Sequence, residues 1–371
     1  MQARVMFLSL YALSLSATLQ AAPESIDIGT ALAGDAEGFE QALQARAFSF
    51  PADHGSHPTF RNEWWYLTGQ LQDQSGQHYG FQYTLFRVGL TAPNSDENTQ
   101  WPRDTLWMAH AALSDSSQAQ LLHEQRLAHG GAGTAGVTAA PFNAWLHNWQ
   151  LSSDKQDAAF PWQLKLKNNQ FDLQLNINNS KAPVLQGDRG LSAKGGAGNA
   201  SFYYSYTDMQ AEGTLDGKRV SGSAWLDREW STSVLPPDVQ GWDWFSLQLD
   251  DGRQLMLYQL RHASNKQNTA QTRSGSLVQK DGSSRTLSAK DIKMQAVKYW
   301  QSPTSKAEYP VEWKLNVEGI ASELVVRANF AQQELHGVVN YWEGATTVSS
   351  ADAHISGRGY LEMTGYTDHT R

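Results

Sequence analysis

The sequence contains no cysteine, which excludes disulfide bonds, lipid attachment at a lipobox cysteine and thiol catalysis. Basic residues are in the minority, with 29 Lys and Arg against 37 Asp and Glu, which gives a net charge of −8. That balance disfavours nucleic acid or an anionic membrane surface as the main partner, because either would select a basic patch. No apolar run reaches the roughly 20 residues that a membrane-spanning helix requires.

Motifs of common hydrolases are also missing. Gly222-Ser-Ala lacks the last glycine of a Gly-x-Ser-x-Gly nucleophile elbow, and no His-Glu-x-x-His sequence occurs. Two histidines, His54 and His57, lie three residues apart in a loop rich in Pro and Gly, which is a weak signal for a metal. We predict no metal and no cofactor.

The first residues have the pattern of an export signal. Arg4 precedes a mainly apolar run from Val5 to Leu19, which ends at Ala21 and Ala22. A basic start, an apolar centre and small residues at the end are typical of a secretory signal peptide. We predict a signal peptide over residues 1–21 and a periplasmic or secreted mature protein.

Aromatic residues are abundant, with 14 Trp, 13 Tyr and 13 Phe. Many lie in short runs that alternate between apolar and polar residues and stop at turn signals, such as Trp64 to Leu71 and Trp242 to Leu249. This period-2 pattern predicts antiparallel strands, and many such strands at regular spacing favour an all-β fold of barrels or sandwiches.

The chain divides into two β units. A Ser/Pro-rich stretch over residues 231–240 separates them, and a weak internal echo relates the two halves. We predict a lead segment over residues 22–49 with one short helix ending near Arg46, a first unit over residues 50–235 and a second over residues 236–371.

An ordered set of motifs resembles one known family. The motifs are Asn62-Glu-Trp-Trp-Tyr-Leu-Thr-Gly69, Met108-Ala-His-Ala-Ala-Leu113, Ala224-Trp-Leu-Asp-Arg-Glu-Trp230, Gly241-Trp-Asp-Trp-Phe245, Asn340-Tyr-Trp-Glu-Gly344 and Gly359-Tyr-Leu-Glu-Met-Thr-Gly365. Together they resemble the carotenoid 1,2-hydratase and AttH-like family, over nearly the whole mature chain. The resemblance implies two tandem lipocalin-like (calycin) antiparallel β-barrels with a lipophilic ligand near their junction.

Hydratases of that family add water to an isolated carbon–carbon double bond of an acyclic carotenoid, without a redox cofactor. Such chemistry needs a carboxyl group of raised pKa and aromatic faces that stabilise a carbocation. We therefore predict Asp243, Asp227 and Glu229 as catalytic candidates. Asp243 is preferred, because it lies between two tryptophans and has no basic neighbour in sequence.

The ligand-binding candidates surround these carboxylates in the sequence or belong to the same motifs. They are Trp230, Trp242, Trp244, Arg228, Trp64, Trp65, Tyr66 and Tyr204. In a strand, Asp227 and Glu229 point to one face and Arg228 and Trp230 to the other. The family carries histidine where this chain has Arg228, and arginine does not exchange protons near neutral pH.

The same residues allow a purely structural interpretation. Arg228 or another arginine could neutralise Asp227 and Glu229 in a buried ion pair. Glu63 and Glu343, each beside tryptophans, would then pair with arginines such as Arg87 or Arg261.

Three functions stay open at this stage. The first is a protein that binds a lipophilic, isoprenoid-like or lipid-like molecule and acts on a double bond as a hydratase or lyase. The second is a lipophile carrier that serves an ABC-type transporter and contacts a membrane transiently. The third is a secreted hydrolase, the label that some family members carry. An enzyme predicts a carboxyl group that no arginine pairs, whereas a carrier predicts that all are paired.

Overall fold

A computed structural model describes residues 26–27, 36–93, 104–195, 198–232, 239–262 and 272–367. The predicted signal peptide lies outside these residues. The described part of the chain is all-β, with three single-turn 3-10 helices over Ala52–His54, Gly131–Gly133 and Ala289–Asp291. Within it, no helix is long and apolar enough to cross a membrane. The short helix predicted to end near Arg46 is wrong for its described part, because residues 36–46 form turns and extended chain.

The strands form two large antiparallel sheets. A short strand, β1, covers Ile26–Asp27. The first sheet contains β2 (Asn62–Asp73), β3 (His78–Gly89), β4 (Thr105–Asp115), β5 (Gln120–His129), β6 (Ala135–Ala139), β7 (Phe142–Leu146), β8 (Trp149–Ser152), β9 (Trp162–Lys167), β10 (Asp172–Asn179), β11 (Val184–Leu185), β12 (Leu191–Ala193), β13 (Ala200–Leu215) and β14 (Lys218–Ser231). Its order is β5-β4-β3-β2-β14-β13-β10-β9-β8-β7-β6, and β11 and β12 pair with β13.

The second sheet follows the same plan. It contains β15 (Val239–Leu249), β16 (Gln254–His262), β17 (Thr272–Val278), β18 (Ser284–Ser288), β19 (Ile292–Gln301), β20 (Glu308–Val317), β21 (Leu324–Ala328), β22 (Glu334–Leu335), β23 (Val339–Ser350) and β24 (Ser356–Met363). Its order is β18-β17-β16-β15-β24-β23-β21-β20-β19. β22 pairs with β23, and β1 adds to β23 in parallel.

Each sheet curls around its own apolar core and forms a barrel-like unit. In the first barrel, Leu173, Leu175 and Ile177 of β10 are buried and alternate with exposed polar residues. In the second barrel, Phe245 and Leu247 of β15 pack with Trp313 of β20. The period-2 pattern thus places one side chain in two inside each barrel.

Several strands, including β2, β3, β14, β15 and β23, are buried on both faces, and this locates the contact between the barrels. Along β2, β14, β15 and β23 almost every residue is buried or half-buried, except at the strand ends. One face of each strand lines its own barrel, and the other packs against the opposite barrel. Residues that sequence alternation assigns to an outer face therefore meet between two sheets.

Candidate functional site

The outward faces of six strands form a group of aromatic and carboxylate side chains between the barrels, which we call the inter-barrel cluster. Its members are Trp64, Tyr66, Tyr203, Asp227, Glu229, Trp242, Trp244, Tyr341, Glu343 and Glu362. Trp64 and Trp242 contact both apolar clusters of the interface. Together with Glu362 they are half-buried, so this part of the cluster is partly exposed to solvent.

Two glutamates of this cluster face each other directly. Glu343 of β23 is the antiparallel partner of Glu362 of β24. Tyr66 donates a hydrogen bond to Glu343, and the Trp242 indole N–H donates to Glu362 Oε1 at 2.7 Å. Glu343 Oε2 is buried and has no hydrogen-bond partner among the described residues. Like charges directly opposite one another on a sheet are unfavourable, so the pair favours holding a proton.

The local electrostatics act in the same direction. Burial, followed by the neighbouring Glu362 carboxylate, raises the pKa of Glu343 well above its usual value. Burial raises the pKa of Glu362 to about 7, although the hydrogen bonds from Trp242 and Tyr66 oppose the shift. Among the described residues, no arginine or lysine pairs with either glutamate, so no cation reverses these shifts.

Asp227 is a third buried carboxyl group of the cluster. It accepts hydrogen bonds from Tyr203 Oη at 2.6 Å, from Ser205 Oγ and from Trp225 Nε1 at 2.8 Å. Burial raises its pKa to about 7 against these three hydrogen bonds. Asp227 is therefore held rigidly, with all its described contacts to neutral donors.

Glu229 differs from the other carboxylates because it has a cation. Lys194 Nζ lies 3.0 Å from Glu229 Oε1 and is also within 4.6 Å of the ring centre of Tyr258. Burial lowers the pKa of Lys194, but the Glu229 carboxylate outweighs burial and the net shift is upward. This ion pair closes the cluster on the side of β13 and β16.

Arg228 and Trp230 lie on the opposite face of β14, inside the first barrel, as the alternation predicted. The Arg228 guanidinium pairs with Glu63 and stacks 3.8 Å above the Trp65 ring. Arg87 also pairs with Glu63 at 3.0 Å. Glu63 thus has the structural arginine partners that sequence reasoning considered. The idea that Arg228 neutralises Asp227 or Glu229 is wrong, because the strand places them on opposite faces.

Trp230, Trp65 and Tyr204 belong to the same interior. Trp230 stacks on the His57 ring at 3.9 Å, and Trp65 donates from Nε1 to the His54 carbonyl at 2.8 Å. Tyr204 Oη lies 2.7 Å from His54 Nδ1. Four of the eight predicted ligand-binding residues therefore line the filled first barrel, and Trp64, Tyr66, Trp242 and Trp244 lie in the inter-barrel cluster.

Asp243 points into the second barrel, away from Trp242 and Trp244. Its carboxylate accepts hydrogen bonds from Gln259 Nε2 and Tyr366 Oη, both at 2.8 Å, and lies 3.5 Å from Arg261 Nε. Burial raises the pKa of Asp243, and Arg261 opposes the shift. The sequence prediction of an unpaired carboxyl group at this position is corrected, because the adjacent strand β16 supplies an arginine.

Sequence reasoning missed the pairing of Glu343 with Glu362. The sequence predicts an arginine partner for Glu343 and does not single out Glu362 as an acid. The available signal was that both lie in period-2 strands rich in aromatic residues, but only the register of β23 on β24 places them face to face. His110 of β4 has its Nδ1 2.7 Å from Tyr341 Oη and so adjoins the cluster.

An open cleft of about 630 Å³ lies at the other end of the interface. Gln70, Gln248 and Asp208 are among its polar lining residues. The Gln70 and Gln248 amides bond backbone carbonyls of the opposite barrel, Gln248 reaching Thr207 and Ala224. This polar cleft does not suit an apolar ligand. No group of three or more metal-ligating side chains that could hold an ion is found in the described part of the chain.

Comparison with known proteins identifies the family. A family model described as AttH-like matches residues 41–366. An AttH-type protein from Nitrosomonas europaea is 32% identical, with a TM-score of 0.79, over 89% of this chain and 100% of that chain. No match was found among the curated proteins.

Two more distant structures share the fold. A kievitone hydratase from Nectria haematococca is 13% identical, with a TM-score of 0.61, over 88% of this chain and 98% of its own. CghA, in complex with Sch210972, is 12% identical, with a TM-score of 0.50, over 90% and 97% of the two chains. At such identities the likeness concerns the fold alone. The family match spans most of the sequence, and this protein therefore belongs to the AttH-like family.

Proposed function

We propose that this protein binds an apolar, unsaturated molecule between its two barrels and adds water to a carbon–carbon double bond by acid catalysis. The observation that carries the proposal is the Glu343–Glu362 pair. Glu343 is buried and Glu362 half-buried, no described cation pairs with either, and both pKa values are raised. A donor for an alkene must keep its proton near neutral pH and hold it in an apolar site.

The surroundings suit the cation that such a protonation creates. Trp64, Tyr66, Trp242 and Trp244 surround the glutamates, and aromatic faces stabilise a cation by roughly 0.5–2 kcal/mol each. The same rings offer contact area to an apolar ligand, and their Trp N–H and Tyr O–H groups can still form hydrogen bonds. The half-buried Trp64 and Trp242 provide the route of entry.

The proposed step balances without a cofactor. The protonated carboxyl group of the pair gives its proton to one alkene carbon and leaves a carbocation at the other. A water molecule adds to that carbon and releases its surplus proton to solvent, while the carboxylate pair regains one proton from solvent, so the net reaction adds one water. Asp227 and Glu229 do not transfer a proton in this step. Asp227 accepts hydrogen bonds from neutral donors, and Glu229 is paired with Lys194.

Two kinds of support come from the comparisons. Family membership covers nearly the whole chain, and one protein of similar fold is a hydratase by name. Export, association with a transporter and the identity of the ligand are separate proposals that these arguments do not need.

The test is a hydration assay in ¹⁸O-labelled water, with an acyclic carotenoid and with apolar molecules extracted from the purified protein. We expect a labelled alcohol with wild type. Glu343→Gln and Glu362→Gln remove the donor, so the rate should fall about 10²–10⁴-fold. Asp243→Asn is the matched control, because it alters a buried carboxyl group outside the inter-barrel cluster.

Two outcomes would overturn the proposal. Recovery of only unmodified ligand from wild type and all variants would identify a carrier. Loss of the labelled product in Asp243→Asn, with full activity in Glu343→Gln, would place the donor inside the second barrel.

A further inference from the structure

A line of ionisable side chains runs from the Glu343–Glu362 pair towards the surface. Tyr341 and Glu343 are two residues apart on β23 and share a face. Burial, followed by the Glu343 carboxylate, raises the pKa of Tyr341 well above its usual value. Tyr341 Oη in turn lies 2.7 Å from Nδ1 of His110, which is fully buried in β4.

The line continues through β5. Ala112 faces His123 and His110 faces Gln125 in the ladder of β4 with β5, so the two histidines are diagonal neighbours on one face. His123 lies 6.4 Å from His336, measured between ring centres. The His336 side chain is 36% exposed, so this ring reaches solvent.

Two buried ring nitrogens in this line form no hydrogen bond that would stabilise the fold. His110 Nε2 and His123 Nδ1 are buried and lack a hydrogen-bond partner among the described residues. Leaving a buried polar atom unpaired costs roughly 1–3 kcal/mol, and a phenylalanine in either place would avoid that cost. Burial and the neighbouring His123 also lower the pKa of His110 to about 3, so this ring is neutral near pH 7.

We propose that Tyr341, His110, His123 and His336 form a proton route between the Glu343–Glu362 pair and solvent. The inference rests on the proposed role of the pair as the proton donor. For each proton that leaves the pair, Tyr341 passes its hydroxyl proton to Glu343 and receives one from His110. A solvent proton enters at His336 and reaches His110 by way of His123, so one proton enters for each that leaves.

Few other ionisable groups face this route. Glu334 Oε2 lies 3.4 Å from His336 Nε2 at the surface end. Tyr66 and Tyr360 adjoin Glu343 at the buried end. Gln82, which lies 3.5 Å from Tyr341 Oη, does not titrate. His110 and His123 are therefore the only described titratable groups along the middle of the line, and a neutral imidazole can accept a proton at one ring nitrogen while it releases one at the other.

The route can be tested without a substrate. After a rapid pH jump, time-resolved infrared spectroscopy would follow the protonated-carboxyl band that disappears in Glu343→Gln. His110→Gln keeps an amide that can bond Tyr341 but cannot carry a proton. We expect the relaxation to slow on the order of 10²-fold, at an unchanged titration midpoint.

His129→Gln is the matched control, because His129 lies in β5, the strand of His123, with its side chain exposed. It should relax at the wild-type rate, with all variants retaining their circular dichroism. A folded His110→Gln protein that relaxes as fast as wild type would overturn the proposal. If that variant does not fold, His123→Gln decides in the same way. Because this infrared experiment measures no turnover, its result can be interpreted even if the hydration assay detects no product.

Discussion

At the scale of single residues, the main feature is a pair of glutamates in direct register, Glu343 and Glu362, beside which the described part of the chain places no arginine or lysine. A folded protein keeps such a pair by binding a proton, and the proton makes stability depend on pH. The balance differs at Glu63, where burial raises the pKa but Arg228, His57 and Arg87 together outweigh it and lower the pKa to about 2. Burial alone therefore does not decide the pKa, which is lowered for Glu63 and raised for Glu343.

Glu362→Gln should flatten the pH dependence of stability. The folded-state pKa of about 7 exceeds the ordinary value of 4.5, so between these values the folded protein binds more protons than the unfolded chain. The free energy of unfolding therefore falls as pH rises through this window. Between pH 4.5 and 8, the free energy of unfolding of the variant should fall by about 2 kcal/mol less than that of wild type, measured by urea unfolding. Glu40→Gln, an exposed carboxyl group, is the control, and parallel curves for Glu362→Gln and wild type would contradict the prediction.

At the scale of elements, β14 presents a different set of side chains on each face, because successive residues of a strand point in opposite directions. Asp227 and Glu229 face the opposite barrel, and Arg228 and Trp230 face the interior of their own. Sequence reasoning predicted these two faces correctly, because a period of two depends only on the strand itself.

Arg228→Met should destabilise the protein without altering the inter-barrel cluster. The Glu63 carboxylate, 0% exposed, would keep only part of its compensation. We expect a loss of about 3–5 kcal/mol in the free energy of unfolding, measured in urea at neutral pH. The loss should shrink in a Glu63→Gln background. Reduced ligand content at unchanged stability would instead assign Arg228 to binding.

The fold was predictable from the sequence, but the candidate site only in part. Turn signals and alternation give the strands, and the aromatic positions Trp64, Tyr66, Trp242 and Trp244 were found by motif. Partners across strands were not predictable, because they depend on register. Arg261 lies 18 residues from Asp243 and Glu362 lies 19 from Glu343, yet each faces its partner only through the ladder. Both errors of assignment came from that missing information.

At the scale of the whole molecule, the two barrels are joined by amide side chains as well as by aromatic packing. Gln70 bonds the carbonyls of Thr346 and Gly359, each at 2.7 Å. Gln248 bonds the carbonyls of Thr207 and Ala224 at 2.9 and 3.0 Å. Each amide thus ties one barrel to the backbone of the other.

We expect the barrels to unfold in one cooperative transition. In scanning calorimetry the calorimetric and van't Hoff enthalpies should agree for wild type. Gln70→Ala combined with Gln248→Ala should lower the free energy of unfolding by about 1–3 kcal/mol per amide, because buried carbonyls lose their donors. The exposed Gln74→Ala is the control. Two separate transitions in wild type would show that the barrels are independent.

Strand β1 has a consequence for the order in which the chain is made. Ile26–Asp27 precede the first barrel in sequence, yet they pair with Val339 and Asn340 of the second. Strand β1 therefore leaves the ribosome before the first barrel, but it can pair only after β23 has been made. A nascent chain of about 300 residues could complete the first barrel, but its leading end would stay unpaired until β23 emerged.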